Sequence, residues 1–110
     1  MSTYNTADTD YPTDLLTIEQ LTTAQLRDLL DRAAAVKAGK DLGRLQDATV
    51  AMLFEKPSTR TRVSFEAGVT ELGAHPTFLG QDELHLGNGE PLKDTARALS
   101  EYVDVIVARL

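Results

Sequence analysis

From Leu21 to Ala38, apolar side chains recur at Leu26, Leu29, Leu30, Ala33, Ala34 and Val36, the spacing of one helical face. This predicts a helix packed on a core, opened by a capping box of Thr22 and Gln25 and stopped at Gly39. Thr49-Val50-Ala51-Met52-Leu53-Phe54 is different: a short unbroken apolar run, as in a strand of a parallel sheet buried on both faces. Pro57 drives Lys56 toward extended backbone, so this strand ends there and a helix starts at Ser58 or Thr59. Helical spacing then runs through Val63, Phe65 or Glu66, Val69 and Leu72, with Gly73 placed to end it. Pro76 to Leu79 reads as a second strand and Gly80 to Gly89 as a polar loop with three glycines. Pro91 suits a first helical position. Leu92, Ala96, Leu99, Tyr102 and Val103 share the face of a third helix, and Val103 to Leu110 is a last strand, interrupted by Asp104 and closed by Arg109.

The alternation of helix and strand predicts an α/β fold, a three-layer parallel sheet flanked by helices. Residues 1–13, polar and nearly free of aliphatic side chains, read as a flexible tail. Residues 14–110 then form one domain. In such sheets ligands bind beyond the carboxyl ends of the strands. Two charged features are predicted there: the segment after the first strand, and Arg109.

Composition narrows the chemistry. No apolar stretch approaches the roughly 20 residues of a membrane span, and the N-terminus lacks the halves of a secretory signal, which predicts a soluble cytoplasmic protein. The absence of cysteine and the presence of only two histidines, His75 and His85, argue against disulfides and thiolate or multi-histidine metal sites. A net charge of −6 disfavours nucleic acid as a partner. Yet Lys56, Arg60 and Arg62 form a small positive focus on this acidic body, the arrangement expected of a site that collects a small anion.

Ser58-Thr59-Arg60-Thr61-Arg62 stands at the predicted helix start. Backbone N–H groups without intrahelical partners and the positive end of the macrodipole suit a phosphate there. Ser58, Thr59 and Thr61 add hydroxyl donors, and Arg60 adds a planar fork for two phosphate oxygens. The same composition also fits a plain helix cap with a solvated basic face. Arg62, two positions past Arg60, faces elsewhere on the helix and is expected to pair with Glu55 or Glu66. Arg109 has a structural alternative too, an ion pair with Asp104 or a helix carboxylate.

The stretch Phe54-Glu55-Lys56-Pro57-Ser58-Thr59-Arg60-Thr61-Arg62-Val63-Ser64-Phe65-Glu66 resembles the carbamoyl phosphate motif of the aspartate/ornithine carbamoyltransferase family. A second stretch, His85-Leu86-Gly87-Asn88-Gly89-Glu90-Pro91-Leu92-Lys93-Asp94-Thr95-Ala96-Arg97, resembles a loop and helix of its ornithine branch. The aspartate branch usually carries a lysine at the position of Asn88. The ornithine branch is similar to this chain in having His or Gln at the position of His85 and Lys56 before the motif. The likeness covers about Leu21 to Leu110.

The resemblance implies that Ser58, Thr59, Arg60 and Thr61 hold the phosphate of carbamoyl phosphate, that Arg60 neutralises charge as phosphate leaves, and that Thr61 and Arg109 polarise the carbonyl oxygen. It implies that His85 comes from the adjacent subunit of a homotrimer, and that neither cofactor nor metal takes part. The amine of ornithine is the implied acceptor, giving citrulline in a reaction that serves arginine biosynthesis or citrulline breakdown. An aspartate-branch enzyme or a non-catalytic module for carbamoyl phosphate or phosphate are the other readings. Chains of the family run to roughly 300 residues in two domains, so these 110 residues read as an incomplete carbamoyl phosphate-binding domain. A later His-Pro-x-Gln segment and the amino-acid-binding domain would then be missing, and the chain alone is expected to be inactive.

Overall fold

A computed structural model describes residues 10–55, 58–80 and 92–109. They fall into two compact units, Met1–Leu42 and Gly43–Leu110.

The second unit is built on strands β1 (Thr49–Phe54), β2 (His75–Gly80) and β3 (Val105–Arg109) and helices α2 (Thr59–Glu71) and α3 (Leu92–Ser100). The strands form one parallel sheet in the order β2-β1-β3. The apolar run is therefore the central strand, and Val50 to Phe54 are all buried. Its alternate side chains serve two cores, because successive residues of a strand point to opposite faces. Val50, Met52 and Phe54 pack with Val69 of α2, Ala74, Phe78 and Val107. Ala51 and Leu53 pack with Leu79, Leu99 of α3 and Val103 on the other side. Helix, sheet and helix are thus three layers, and the chain has the α/β parallel-sheet architecture that its pattern predicts.

Boundaries follow the local chemistry. Ser58 is the N-cap of α2 and Thr59 its first helical residue. At the other end Gly73 has φ +85°, which favours glycine over any residue with a Cβ. There the Gly73 N–H reaches the Thr70 carbonyl at 3.0 Å and the Ala74 N–H reaches that of Val69 at 3.1 Å, the paired bonds of a Schellman cap. Asp104, expected to interrupt the last strand, instead precedes β3: its backbone N–H donates to the Thr49 carbonyl and its Oδ2 accepts from the Thr49 N–H, both at 2.9 Å. Several periodic positions, Leu72 among them, are not core. Val63 and Phe65 are exposed, because α2 buries only Val69, and Tyr102 is 83 % exposed. Pro91 and residues 81–90 lie outside the described residues.

The first unit contains α1 (Thr23–Lys37) behind a short 3-10 turn at Ile18–Gln20. Its capping box is present: the Thr22 Oγ1 accepts from the Gln25 N–H at 3.0 Å and the Gln25 Oε1 accepts from the Thr22 N–H at 2.9 Å. The core face expected of this helix is overturned. Leu26, Leu29, Leu30 and Val36 are exposed, Leu30 at 63 %, while Gln25, Asp28 and Ala35 are buried. The reason is polar. Gln25 Nε2 donates to the Asp10 carbonyl at 2.9 Å, and the Tyr11 hydroxyl donates to Asp28 Oδ2 at 2.6 Å, so the segment ahead of the helix covers its hydrophilic side. Of the expected 1–13 tail, then, Asp10 and Tyr11 are tied to α1, and residues 1–9 lie outside the described residues.

Asp28 also accepts from Arg32 Nε at 2.8 Å. The Tyr11 hydroxyl foremost, with Arg32, holds the Asp28 carboxyl below its ordinary pKa, while burial pulls the other way. A depressed folded-state pKa contributes stability above the unfolded value, about 3.9 for Asp, and that contribution is lost as pH falls through the folded value. Tyr11→Phe removes the largest cause. Its thermal midpoint is therefore expected to fall below the parent's at neutral pH and to converge on it as pH drops below about 4; a constant offset across the acid range would contradict this.

Candidate anion-binding site

The three strands end at one level, since Phe54 is in register with Gly80 on one side and Arg109 on the other. The first turn of α2 follows directly from β1, separated by Glu55 and the undescribed Lys56 and Pro57. Arg109 closes β3, and its carbonyl accepts from the Glu55 N–H at 3.0 Å, so main-chain pairing delivers its side chain to the turn. There a single nitrogen, Arg109 Nη1, donates to Ser58 Oγ at 2.5 Å and to Thr61 Oγ1 at 3.3 Å. The ion pair with Asp104 considered above is absent, because Asp104 sits at the opposite end of the strand.

These contacts have an electrostatic consequence. The Ser58 hydroxyl faces Arg109 and makes no capping bond to its own helix. The ladder of α2 opens with the Arg62 N–H on the Ser58 carbonyl at 3.0 Å, and the N–H groups of Thr59, Arg60 and Thr61 precede it, as in any helix start. The macrodipole adds roughly half a positive charge here. Each hydroxyl that accepts from Arg109 keeps its own proton to donate outward.

Arg62 carries a different load. Its Nε donates to Glu66 Oε1 at 2.8 Å, which meets the expected pairing and neutralises it. Arg60 is exposed, with no ion pair or hydrogen bond among the described residues, and Arg109 touches only neutral hydroxyls. In a chain with 17 acidic and 11 basic residues, Arg60 in the first turn of α2 and Arg109 on the hydroxyls of that turn have no carboxylate partner among the described residues. The structure joins Arg109 to Ser58 and Thr61 and has Thr59 and Arg60 in the same first turn of α2. His85 lies outside the described residues. What the sequence reading missed is the partner of Arg62 beyond Glu66: its Cζ stands 3.8 Å from the centroid of the Phe78 ring. No helix among the described residues is long and apolar enough to cross a membrane.

The sequence profile of the aspartate/ornithine carbamoyltransferase carbamoyl-P binding domain matches residues 13–110. The chain is 59 % identical over 97 residues to the ornithine carbamoyltransferase of Haloquadratum walsbyi, covering 88 % of this chain and 32 % of that protein. It superposes on the crystal structure of the anabolic ornithine carbamoyltransferase of Campylobacter jejuni with a TM-score of 0.79 at 41 % identity, covering 86 % of this chain and 31 % of that one. The catalytic subunit of M. jannaschii aspartate transcarbamoylase is also similar, with a TM-score of 0.69 at 31 % identity, covering 84 % of this chain and 32 % of that one. The chain spans about a third of the length of the relatives it matches. A parallel sheet with an arginine-bearing turn at its strand ends and a profile match along nearly the whole chain lead to one conclusion: the chain belongs to the aspartate/ornithine carbamoyltransferase family.

Proposed function

We propose that this chain supplies the carbamoyl phosphate half of an ornithine carbamoyltransferase site. The observation that carries the proposal is Arg109 Nη1 on both Ser58 Oγ and Thr61 Oγ1. One strand end and one helix start thereby form a single cluster of donors. In this reading Ser58, Thr59, Arg60 and Thr61 hold the phosphate of carbamoyl phosphate, while Thr61 and Arg109 donate to the carbonyl oxygen. The side-chain amine of ornithine attacks the carbonyl carbon, and the carbonyl electron pair moves onto an oxygen that these donors stabilise. As the tetrahedral intermediate collapses, the bond to the phosphate oxygen breaks, the proton of the attacking amine passes to the departing phosphate, and citrulline and hydrogen phosphate leave. Arg60 balances the charge on the departing phosphate. Positioning and charge do the work.

By resemblance, His85 reaches the pocket from the adjacent subunit of a trimer, and the groups that receive ornithine lie outside residues 1–110. Asn88 in place of the aspartate branch's lysine and the names of the similar proteins favour ornithine over aspartate. A module that binds the anion without turnover would share the cluster but not the reaction. Calorimetric titration with carbamoyl phosphate is expected to show saturable binding. The full-length protein is expected to form citrulline from ornithine and no carbamoyl-aspartate from aspartate, and a polypeptide of residues 1–110 to form neither. Absence of binding would refute the site; binding without citrulline in the full-length protein would favour the non-catalytic module.

A further inference from the structure

The groups assigned to the anion lie on residues 58–61 and at the end of β3. The carboxyl end of β2 reaches the same level, and it is fastened to the turn by other means. The Arg62 guanidinium stands over Phe78 of β2, with Cζ 3.8 Å from the ring centroid. One edge of that guanidinium is held by Glu66 Oε1 at 2.8 Å. Phe78 in turn meets Phe54, the last residue of β1, edge to face, with centroids 5.7 Å apart and planes at 71°. Arg62 therefore rests on a ring pair that joins the ends of two strands.

The packing of α2 makes this contact consequential. Its one buried residue is Val69, near the C-terminal end, so apolar burial fixes the far end of the helix and leaves the first turn without a core anchor. The turn's described side-chain ties to the sheet are Arg109 on Ser58 and Thr61, and Arg62 on Phe78. An exposed Arg–Glu pair alone contributes little. A guanidinium held by a carboxylate and seated on an aromatic face is more constrained.

We infer that Arg62 is a positioning residue for the anion turn: through its stack on Phe78 it sets where Ser58 to Thr61 stand relative to the strand ends, without touching the anion itself. This rests on the proposed carbamoyl phosphate site. A displacement of about 1 Å in such an array is enough to weaken it greatly.

The test uses the full-length protein and calorimetric titration with inorganic phosphate and with carbamoyl phosphate. Arg62→Met and Phe78→Leu are each expected to weaken both ligands roughly five- to thirtyfold, the range of a partly desolvated cation–π contact. The double variant should be no weaker than either single one, because both remove the same contact. Arg62→Lys keeps a cation over the ring and should stay within about threefold of the parent, a rescue that loss of general stability would not reproduce. In the parent itself, the Arg62 side-chain proton signals should be displaced upfield by the Phe78 ring current. Parent-like binding by Arg62→Met, equal losses in the Lys and Met variants, or no ring-current displacement would each overturn the inference. Should Arg62→Met fail to fold, Phe78→Leu and the parent's spectrum decide. If the parent binds neither ligand, the proposed site fails instead.

Discussion

Arg60→Ala is expected to weaken binding of carbamoyl phosphate by roughly ten- to a hundredfold, the equivalent of the 1.5–3 kcal/mol of hydrogen bonds to a charged group. The size follows from what surrounds the residue. Arg60 is the one arginine of the turn with neither an ion pair nor a hydrogen bond among the described residues, whereas Arg62 is committed to Glu66 and Phe78 and Arg109 to Ser58 and Thr61. Its removal costs no internal contact, so the loss should appear in ligand affinity and leave the thermal midpoint nearly unchanged. Arg60→Lys should recover part of the affinity, since a lysine restores charge but not the planar fork that grips two oxygens. Because Arg60 is exposed, the gap between parent and variant should narrow as salt is raised. An alanine variant that binds as the parent does would remove Arg60 from the site.

Met52→Ala is expected to lower unfolding free energy by about 2–5 kcal/mol, a large fraction of the roughly 5–15 kcal/mol that holds a typical domain together. Met52 is completely buried, on the central strand of three, between Phe78 and Val107 of the flanking strands and Val69 of α2. No neighbour is free to fill the space, since the adjoining strands are fixed by the ladder on both sides. Urea denaturation followed by circular dichroism gives the shift directly, and Met52→Leu, which keeps the volume, should cost under about 1.5 kcal/mol. Equal effects of the two substitutions would mean that packing at this position is not what stabilises the sheet.

What is legible in the amino-acid sequence divides along a physical line. The run Val50 to Phe54 announces a doubly buried strand because every side chain in it is apolar; no alternation is needed when both faces are covered. Pro57 and Ser58 locate the start of α2, Thr22 and Gln25 that of α1, because caps act within three or four residues. Side-chain periodicity was less informative. Leu26, Leu29 and Leu30 mark a face of α1 but not its fate: the bonds of Gln25 to the Asp10 carbonyl and of the Tyr11 hydroxyl to Asp28 bury the opposite, polar side. Tyr102, expected on the face of the third helix, lies in the turn beyond the end of α3 at Ser100 and is exposed. In the candidate site, the hydroxyls and guanidinium of one turn are legible from their spacing. The Arg109 bonds span 51 and 48 positions, and the Arg62 stack depends on how β2 lies beside β1. The i, i+4 spacing of Arg62 and Glu66 is local and readable; the ring beneath the guanidinium is not.

The placement of β1 between two strands that come later in the chain also shapes how the molecule is made. Neither edge of the central strand can pair until a long stretch of polypeptide has been closed. The contact between Thr49 and Asp104, which begins the β1–β3 ladder, spans 55 positions, about twice the separation on the β2 side. Loop-closure entropy rises by only about 0.6 kcal/mol per doubling, so the thermodynamic difference is slight, yet such non-local pairing slows folding. Arg109 arrives with that last strand. The contacts of Arg109 with Ser58 and Thr61 therefore do not exist in any intermediate that holds only β1, α2 and β2, and on the proposed reading the gain of ligand affinity during refolding times the closure of the sheet rather than the formation of the helix.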